Sequence, residues 1–186
     1  MSHPLQFPEA MPDLFGASVH LRELTEDDIP AWFERATDIE SADLAGDPVP
    51  ESMGMGLPWL RRQRDHFRQK LALRWAIVPT GLNVSVGTVG LTLKFNEERT
   101  AELGIVIARA HWGRGIGTAA THLVSRYAFT TLGLTEIQAE VLQRNPASIR
   151  LLEKTGFQLQ RITPATAAEP EELLLYALAR RAPSAA

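Results

Sequence analysis

The alternation of apolar and polar positions divides the chain into two halves. After residues 1–17, which read as a loose arm, Ser18–Leu21 is a short strand candidate. Ile29, Trp32, Phe33 and Ala36 then recur at helical spacing, behind Thr25 as N-cap and with Asp27, Asp28 and Pro30 in the first turn. Residues 40–58, rich in Gly, Pro and Ser, predict a long loop of the kind that walls substrate sites. Leu57–Leu73 predicts a second helix. Arg74–Val78, Val84–Leu93 and Ala101–Ala108 follow as strands, separated by turns at 79–83 and 95–99, and read as an antiparallel meander. In the second half, Gly115–Leu132 predicts a helix closed by Gly133. Glu136–Leu142 is a strand. Asn145–Thr155 is a helix with Pro146 at its first position and Gly156 past its end. Phe157–Arg161 and Leu173–Ala179 are the last strands. The order is α+β, in one domain over 18–180 between the arm and a tail at 181–186.

Composition narrows the chemistry. The 186 residues include no Cys, which excludes disulfides, thiolate metal sites and a Cys acyl carrier. No His, Asp and Glu cluster has metal-ligand spacing, so no metal is expected. The first basic residue is Arg22 and three prolines precede it, unlike a signal peptide; no apolar run approaches the ~18 residues of a membrane span. A cytoplasmic protein is expected, with no membrane partner. The net charge of −3 hides an asymmetry: residues 1–51 carry −10 and residues 52–186 carry +7. Either one part meets an anion and the other a cation, or both are solvated faces.

The segment RAHWGRGIGTAA (Arg109–Ala120) is the most informative. Gly113, Gly115 and Gly117 alternate at a strand-to-helix junction. Glycines there permit positive φ and close approach of a ligand to the backbone. The helix start adds unpaired N–H groups and partial positive charge, which together suit a pyrophosphate. Arg109 and Arg114 flank the turn and can add charge-assisted bonds. The pattern is not a P-loop. Gly115-Ile-Gly117-Thr-Ala-Ala120 also satisfies the dinucleotide fingerprint G-x-G-x-x-A, with Glu140 ~25 residues on. Position speaks against that reading: the turn follows three antiparallel strand candidates, and 69 residues after Gly117 are too few for two mononucleotide-binding halves.

From Glu102 to Phe157 the chain resembles the GNAT superfamily of acyl-CoA-dependent N-acyltransferases. HWGRGIGTAA (His111–Ala120) is similar to that family's pyrophosphate loop, and RNPASIRLLEKTGFQ (Arg144–Gln158) to its N-x-x-S-x-x-L-x-E-K-x-G-F segment. Trp112 before the glycines resembles the branch of ribosomal-protein N-terminal acetyltransferases (RimJ/RimL-like). The resemblance implies a GNAT fold: a mixed, mostly antiparallel sheet splayed between its fourth and fifth strands, with helices on both faces. It implies acetyl-CoA as co-substrate and a primary amine as acceptor, foremost a protein N-terminus. A small-molecule amine acceptor and a catalytically silent CoA-binding module are the alternatives.

The resemblance also implies roles. Backbone N–H groups of Gly113, Arg114, Gly115, Ile116, Gly117 and Thr118 would hold the pyrophosphate, with Arg109 and Trp112 beside them. Ile105, Val106 and Ile107 would pair with pantetheine. Asn145 would bond the CoA arm, although its position also suits a helix N-cap. Acyl transfer needs a base for the amine, N–H donors for the oxyanion and an acid for the thiolate. Glu102 is the expected base. Many relatives carry a Tyr acid where Leu152 stands here; Ser148 is the expected substitute and Tyr176 a further candidate. His66 and His111 each stand alone. Asp38, Glu40, Asp43, Asp47 and Glu51 would form an acidic acceptor wall attracting a cationic amine. The basic helix at 61–74 could contact RNA or the ribosome; it lacks interleaved aromatics for base stacking, and no DNA partner is expected. A homodimer through the C-terminal strands is expected.

Overall fold

The computed structural model describes residues 5–46, 48–94, 99–166 and 171–180. Strands β1 (Leu14–Phe15), β2 (Val19–Glu23), β3 (Ala72–Pro79), β4 (Gly87–Lys94) and β5 (Thr100–Ile107) are antiparallel neighbours. Strand β6 (Glu136–Leu142) joins β5 in parallel. Strands β7 (Gln158–Thr163) and β8 (Leu173–Ala179) complete the sheet in the order β1-β2-β3-β4-β5-β6-β8-β7. Helices α1 (Ile29–Ala36), α2 (Ile39–Ala45) and α3 (Gly56–Arg68) lie between β2 and β3. Helix α4 (Ile116–Tyr127) connects β5 to β6, and α5 (Pro146–Lys154) connects β6 to β7. This is the splayed, mostly antiparallel α+β sheet with helices on both faces that the sequence predicts.

Strand β3 is central, so both of its faces are apolar. Leu73, Trp75 and Ile77 belong to the main core, where α4 contributes Ala120, Leu123, Val124 and Tyr127. The Trp75 and Tyr127 rings meet edge-on at 5.9 Å, a favoured aromatic geometry. Ala76, on the opposite face, joins Leu24, Ile29, Trp32 and Leu60 in a second cluster under α1 and α3. The stacked Trp32 and Trp59 rings, 5.1 Å apart, close it.

Four sequence expectations change. The helix expected over Leu57–Leu73, with basic residues to position 74, ends at Arg68, and Ala72, Leu73 and Arg74 belong to β3. Residues 5–17 are not loose: Leu5, Phe7, Met11 and Leu14 pack on the main core, and the Trp75 indole donates to the Pro12 carbonyl at 2.7 Å. The stretch 40–58 is not a plain loop. It contains most of α2 and a 3-10 turn at Met53–Met55. Asp38 caps α2 by accepting from the Ser41 N–H at 2.9 Å, and Gly46 ends it in the left-handed region at φ 67°. Both signals are in the sequence, Asp38 just ahead of the stretch and Gly46 inside it, where the composition hides the helix between them. Finally, the helix expected to reach Leu132 gives way at Tyr127 to a π-helical turn, Ala128–Leu132, before Gly133 at φ 78°. The tail 181–186 and most of the turn at 95–99 lie outside the described residues.

Candidate active site

Strands β5 and β6 pair over three positions: Thr100 with Glu136, Ala101 with Ile137, and Glu102 with Gln138. Beyond Glu102 each strand keeps its outer partner, β4 and β8 respectively. The two strands therefore part, and a cleft of about 420 Å³ lies beside the free end of β5, walled by α2, by the turn that opens α4 and by α5. The Ala108 N–H donates to Val86 on the β4 side. Strand alternation then turns the backbone groups of Ile105 and Ile107 toward the opening. The Trp112 indole occupies the Ile107 carbonyl at 2.6 Å. This bond ties the loop to the end of β5 and leaves the Ile105 backbone facing the cleft.

The three glycines of the loop are needed for two different reasons. Gly113 and Gly115 have φ of 72° and 76°, the left-handed region that a side chain strains, although nothing lies within 4 Å of a Cβ at either. At Gly117 a Cβ would come to 2.5 Å from Leu151 Cδ1 and 3.2 Å from Ile107 Cδ1. Gly117 thus allows α4 to start close against α5 and β5. The N–H groups of Ile116, Gly117 and Thr118 open α4 at the cleft, where the first turn has no intrahelical acceptors. Arg114, Arg150 and Lys154 line the same cleft and form no ion pair among the described residues. Leu44, Ile105, Ile107 and Leu151 make its apolar part. An anion-binding mouth leading into an apolar channel fits a ligand with a pyrophosphate and a long flexible arm.

Asn145 and Ser148 reach the cleft from the start of α5. Asn145 is buried, and its Oδ1 accepts from the Ser148 N–H at 3.1 Å, so it is the helix cap. Leu152 is buried in the main core. Tyr176 is excluded from the cleft: its hydroxyl, buried in the same core, donates to Glu153 Oε1 at 3.2 Å. Burial first, and the Glu153 carboxylate second, raise it above an ordinary phenol. Glu102 stands in the last β5–β6 pair, at the base of the opening. Its neighbours Ala101 and Leu103 enter the main core, so its side chain leaves the opposite sheet face. There its carboxylate lies 3.7 Å from Lys94 Nζ, which donates to Gln138 Oε1 at 2.7 Å.

Among the residues expected to bind the co-substrate, Arg109 departs from expectation. It does not line the cleft; Asp38 holds its Nη2 at 2.6 Å and Glu40 its Nη1 at 2.5 Å. Asp43 likewise pairs with Arg144 at 2.7 Å. These acids were expected to face an amine, but each already has a cationic partner within the chain. Asp47 lies outside the described residues, and Glu51 is exposed. Ser41, Leu44 and Ala45 of α2 line the cleft but were hidden in the presumed loop. Arg150, Leu151 and Lys154 were visible inside the α5 motif, at the spacing that puts them on one helix face with Ala147. His111 reaches the cleft; His66 lies on α3, outside it. On α3 itself Arg61 and Arg62 are exposed, and Arg68 pairs with Asp65. Among the described residues no helix is long and apolar enough to cross a membrane.

Comparison with known proteins agrees with this geometry. Residues 18–158 match the family described as "Acetyltransferase (GNAT) domain". The chain is 31% identical over 142 residues to the uncharacterized N-acetyltransferase YoaA of Bacillus subtilis, covering 76% of this chain and 80% of that protein. Other curated relatives match over about half of their own length or less. Among solved structures, a spermidine N-acetyltransferase from Vibrio cholerae in complex with CoA and spermine superposes with a TM-score of 0.75. It is 21% identical, over 88% of this chain and 96% of that one. RimJ from Mycobacterium smegmatis in complex with CoA-disulfide gives 0.76 at 22% identity, over 95% and 90%.

Proposed function

The chain belongs to the GNAT acetyltransferase family, and from that premise we propose that it transfers an acetyl group from acetyl-CoA to a protein or peptide N-terminal α-amine. The observation that carries this reading is the cleft where β5 and β6 part, with the Gly113–Thr118 turn and three cations at its mouth and the Ile105 backbone inside. In this reading the pyrophosphate meets the first-turn N–H groups of α4, with Arg114, Arg150 and Lys154 around it. The arm runs along β5 toward the base of the opening. The amine attacks the thioester carbonyl directly, because the chain has no Cys to carry the acyl group. The Ile105 N–H stabilises the oxyanion. Glu102 takes the amine proton, directly or through one water. The Ser148 hydroxyl donates to the departing thiolate.

Two observations favour an α-amine over a polyamine. The carboxylates at 38, 40 and 43 are neutralised within the chain, so they offer little to a polycation. Lys94 stands beside Glu102, which repels a second amine next to the first. An α-amine, with a pKa near ~8, is also the easier group to deprotonate.

Calorimetric titration with acetyl-CoA, with NADP as control, tests the co-substrate; turnover of a short peptide against spermidine tests the acceptor. Micromolar acetyl-CoA binding, no NADP binding and faster turnover of the peptide are expected. Glu102→Gln is expected to lower kcat about 100-fold with the acetyl-CoA affinity kept. Absence of acetyl-CoA binding overturns the reading, preference for spermidine overturns the acceptor, and an unchanged kcat removes Glu102 as base.

A further inference from the structure

The cleft wall that faces the glycine turn includes α2, a helix of seven residues. So short a helix has little stability of its own. Ile39 at its start is 76% exposed, so apolar burial does not fasten that end. Two arginines do. Arg109 stands just past the end of β5, and Arg144 just past the end of β6. Each of the two strands that part is therefore followed closely by an arginine, and both arginines reach the same helix. Arg109 holds Asp38 and Glu40 at the N-terminal end of α2. Arg144 holds Asp43 near its C-terminal end, and its Nε also bonds Glu171, just ahead of β8. Ser41 between the grips, and Leu44 and Ala45 just past the second, line the cleft.

We propose that Arg109 and Arg144 are positioning residues: a pair of ionic clamps that hold α2 as a strap across the mouth of the splayed strands. The strap fixes one wall of the co-substrate channel and the approach of the acceptor, and this role rests on the acyl-transfer reading above. Neither arginine touches a reacting atom. Each pair is partly exposed, so one clamp alone contributes modestly. Both grip one short rigid body, so losing one leaves the other in place, and only the loss of both frees the helix. The two effects are therefore non-additive. The clamps are also open to salt, because the screening length falls from about 10 Å at 0.1 M to about 3 Å at 1 M.

Hydrogen exchange of the α2 amides in the ligand-free, full-length protein is the test. At low salt, Arg109→Ala/Arg144→Ala is expected to speed exchange over residues 39–46 at least tenfold, and each single variant by less than about threefold. Wild type in 1 M NaCl should approach the double variant. Amides of β3 to β5 should not change, which separates a loosened strap from an unfolded chain. Glu40→Gln/Asp43→Asn, which leaves the strand ends untouched and keeps the Arg109–Asp38 pair, should speed exchange by an amount between those of the single and the double arginine variants. In turnover the arginine double variant should raise KM for both substrates several-fold while kcat stays within about threefold. The clamps are overturned if α2 exchange is unchanged in both double variants or is unaffected by salt. A drop in kcat with KM unchanged overturns the positioning role. If wild type fails to bind acetyl-CoA, the acyl-transfer reading and the strap's role fall together, whereas the exchange result reports on the clamps themselves.

Discussion

Arg109 and Arg114 stand on either side of one tight turn and meet opposite surroundings. Arg114 lines the cleft and, with Arg150 and Lys154, meets no carboxylate among the described residues. Arg109 is held by Asp38 and Glu40 of α2, as Arg144 is held by Asp43. The cations beside the glycine turn stay free of carboxylates among the described residues, whereas those past β5 and β6 are paired with acids of α2. The charge asymmetry of the chain thus has a meaning neither sequence reading contained. Acids from the first 51 residues cross to bases of the second half and tie the two together. A guanidinium binds an external anion when the fold leaves it without a carboxylate, and residue type alone does not decide that.

The largest effect should come from the cations beside the glycine turn. Arg114→Ala/Arg150→Ala/Lys154→Ala is expected to weaken acetyl-CoA binding about 100-fold or more, since each charge-assisted bond to phosphate contributes on the order of a factor of ten. Its affinity should also lose most of the salt dependence of the wild type. Arg109→Ala alone should change affinity by less than about twofold. Calorimetry at two ionic strengths compares these three proteins with the single variant Arg114→Ala. Equal losses in Arg109→Ala and in Arg114→Ala would erase the distinction between the two sets of cations.

A smaller effect separates the glycines of the same turn. Gly115→Ala forces a side chain into the left-handed region, at about 1–2 kcal/mol, with no neighbour to blame. Gly117→Ala is sterically opposed by the tip of Leu151. Adding Leu151→Ala should therefore restore acetyl-CoA affinity to Gly117→Ala and do nothing for Gly115→Ala. Rescue of both, or of neither, would show that the glycines serve one purpose. Melting temperature should fall by about 2–6 °C for Gly115→Ala.

How far the sequence could be read follows the same division. The turn and α5 were legible because local rules act there. Positive φ at Gly113 and Gly115 needs glycine, Asn145 caps the helix that Pro146 begins, and Gly156 at φ 92° ends it. The meander was legible from alternation along β3, β4 and β5. Helix α2 was not: the Gly-, Pro- and Ser-rich composition around it masks its Asp38 cap and its Gly46 end, and its ionic partners are distant, with Arg109 and Arg144 lying 69 and 101 positions from Glu40 and Asp43. No local pattern records such a contact. Tyr176, the further acid candidate beside Ser148, shows a related limit of local pattern. Strand periodicity offers two faces, and the core under α5 took the one that carries the phenol.

The smallest effect concerns a third arginine–carboxylate pair, which sharpens the contrast because it is buried where the α2 clamps are exposed. Arg22 grips Asp28 with both terminal nitrogens, each at 2.8 Å, and Asp28 is 2% exposed. Burial alone would raise the Asp28 carboxyl. The Arg22 guanidinium, the Thr25 N–H and Ser85 outweigh it and hold the group below the ordinary carboxylate range. The sign of the pH dependence follows. Above the unfolded value, near ~4, the carboxyl is ionised in both states and the pair contributes fully. Below the lowered folded value it is protonated in both states and contributes nothing. Stability from this pair is therefore lost as pH falls from about 4 through the folded value. The urea midpoint of the wild type should drop more steeply between pH 5 and pH 2 than that of Asp28→Asn, which has no proton to take up. The Asp38 carboxyl is also lowered, by the Ser41 N–H first and Arg109 after it, but its side chain is partly exposed where that of Asp28 is buried. Asp38→Asn should consequently flatten the acid limb less than Asp28→Asn does. An equal flattening would mean that the strap is anchored as firmly as the core pair, and that α2 is part of the rigid frame rather than a wall held by its clamps.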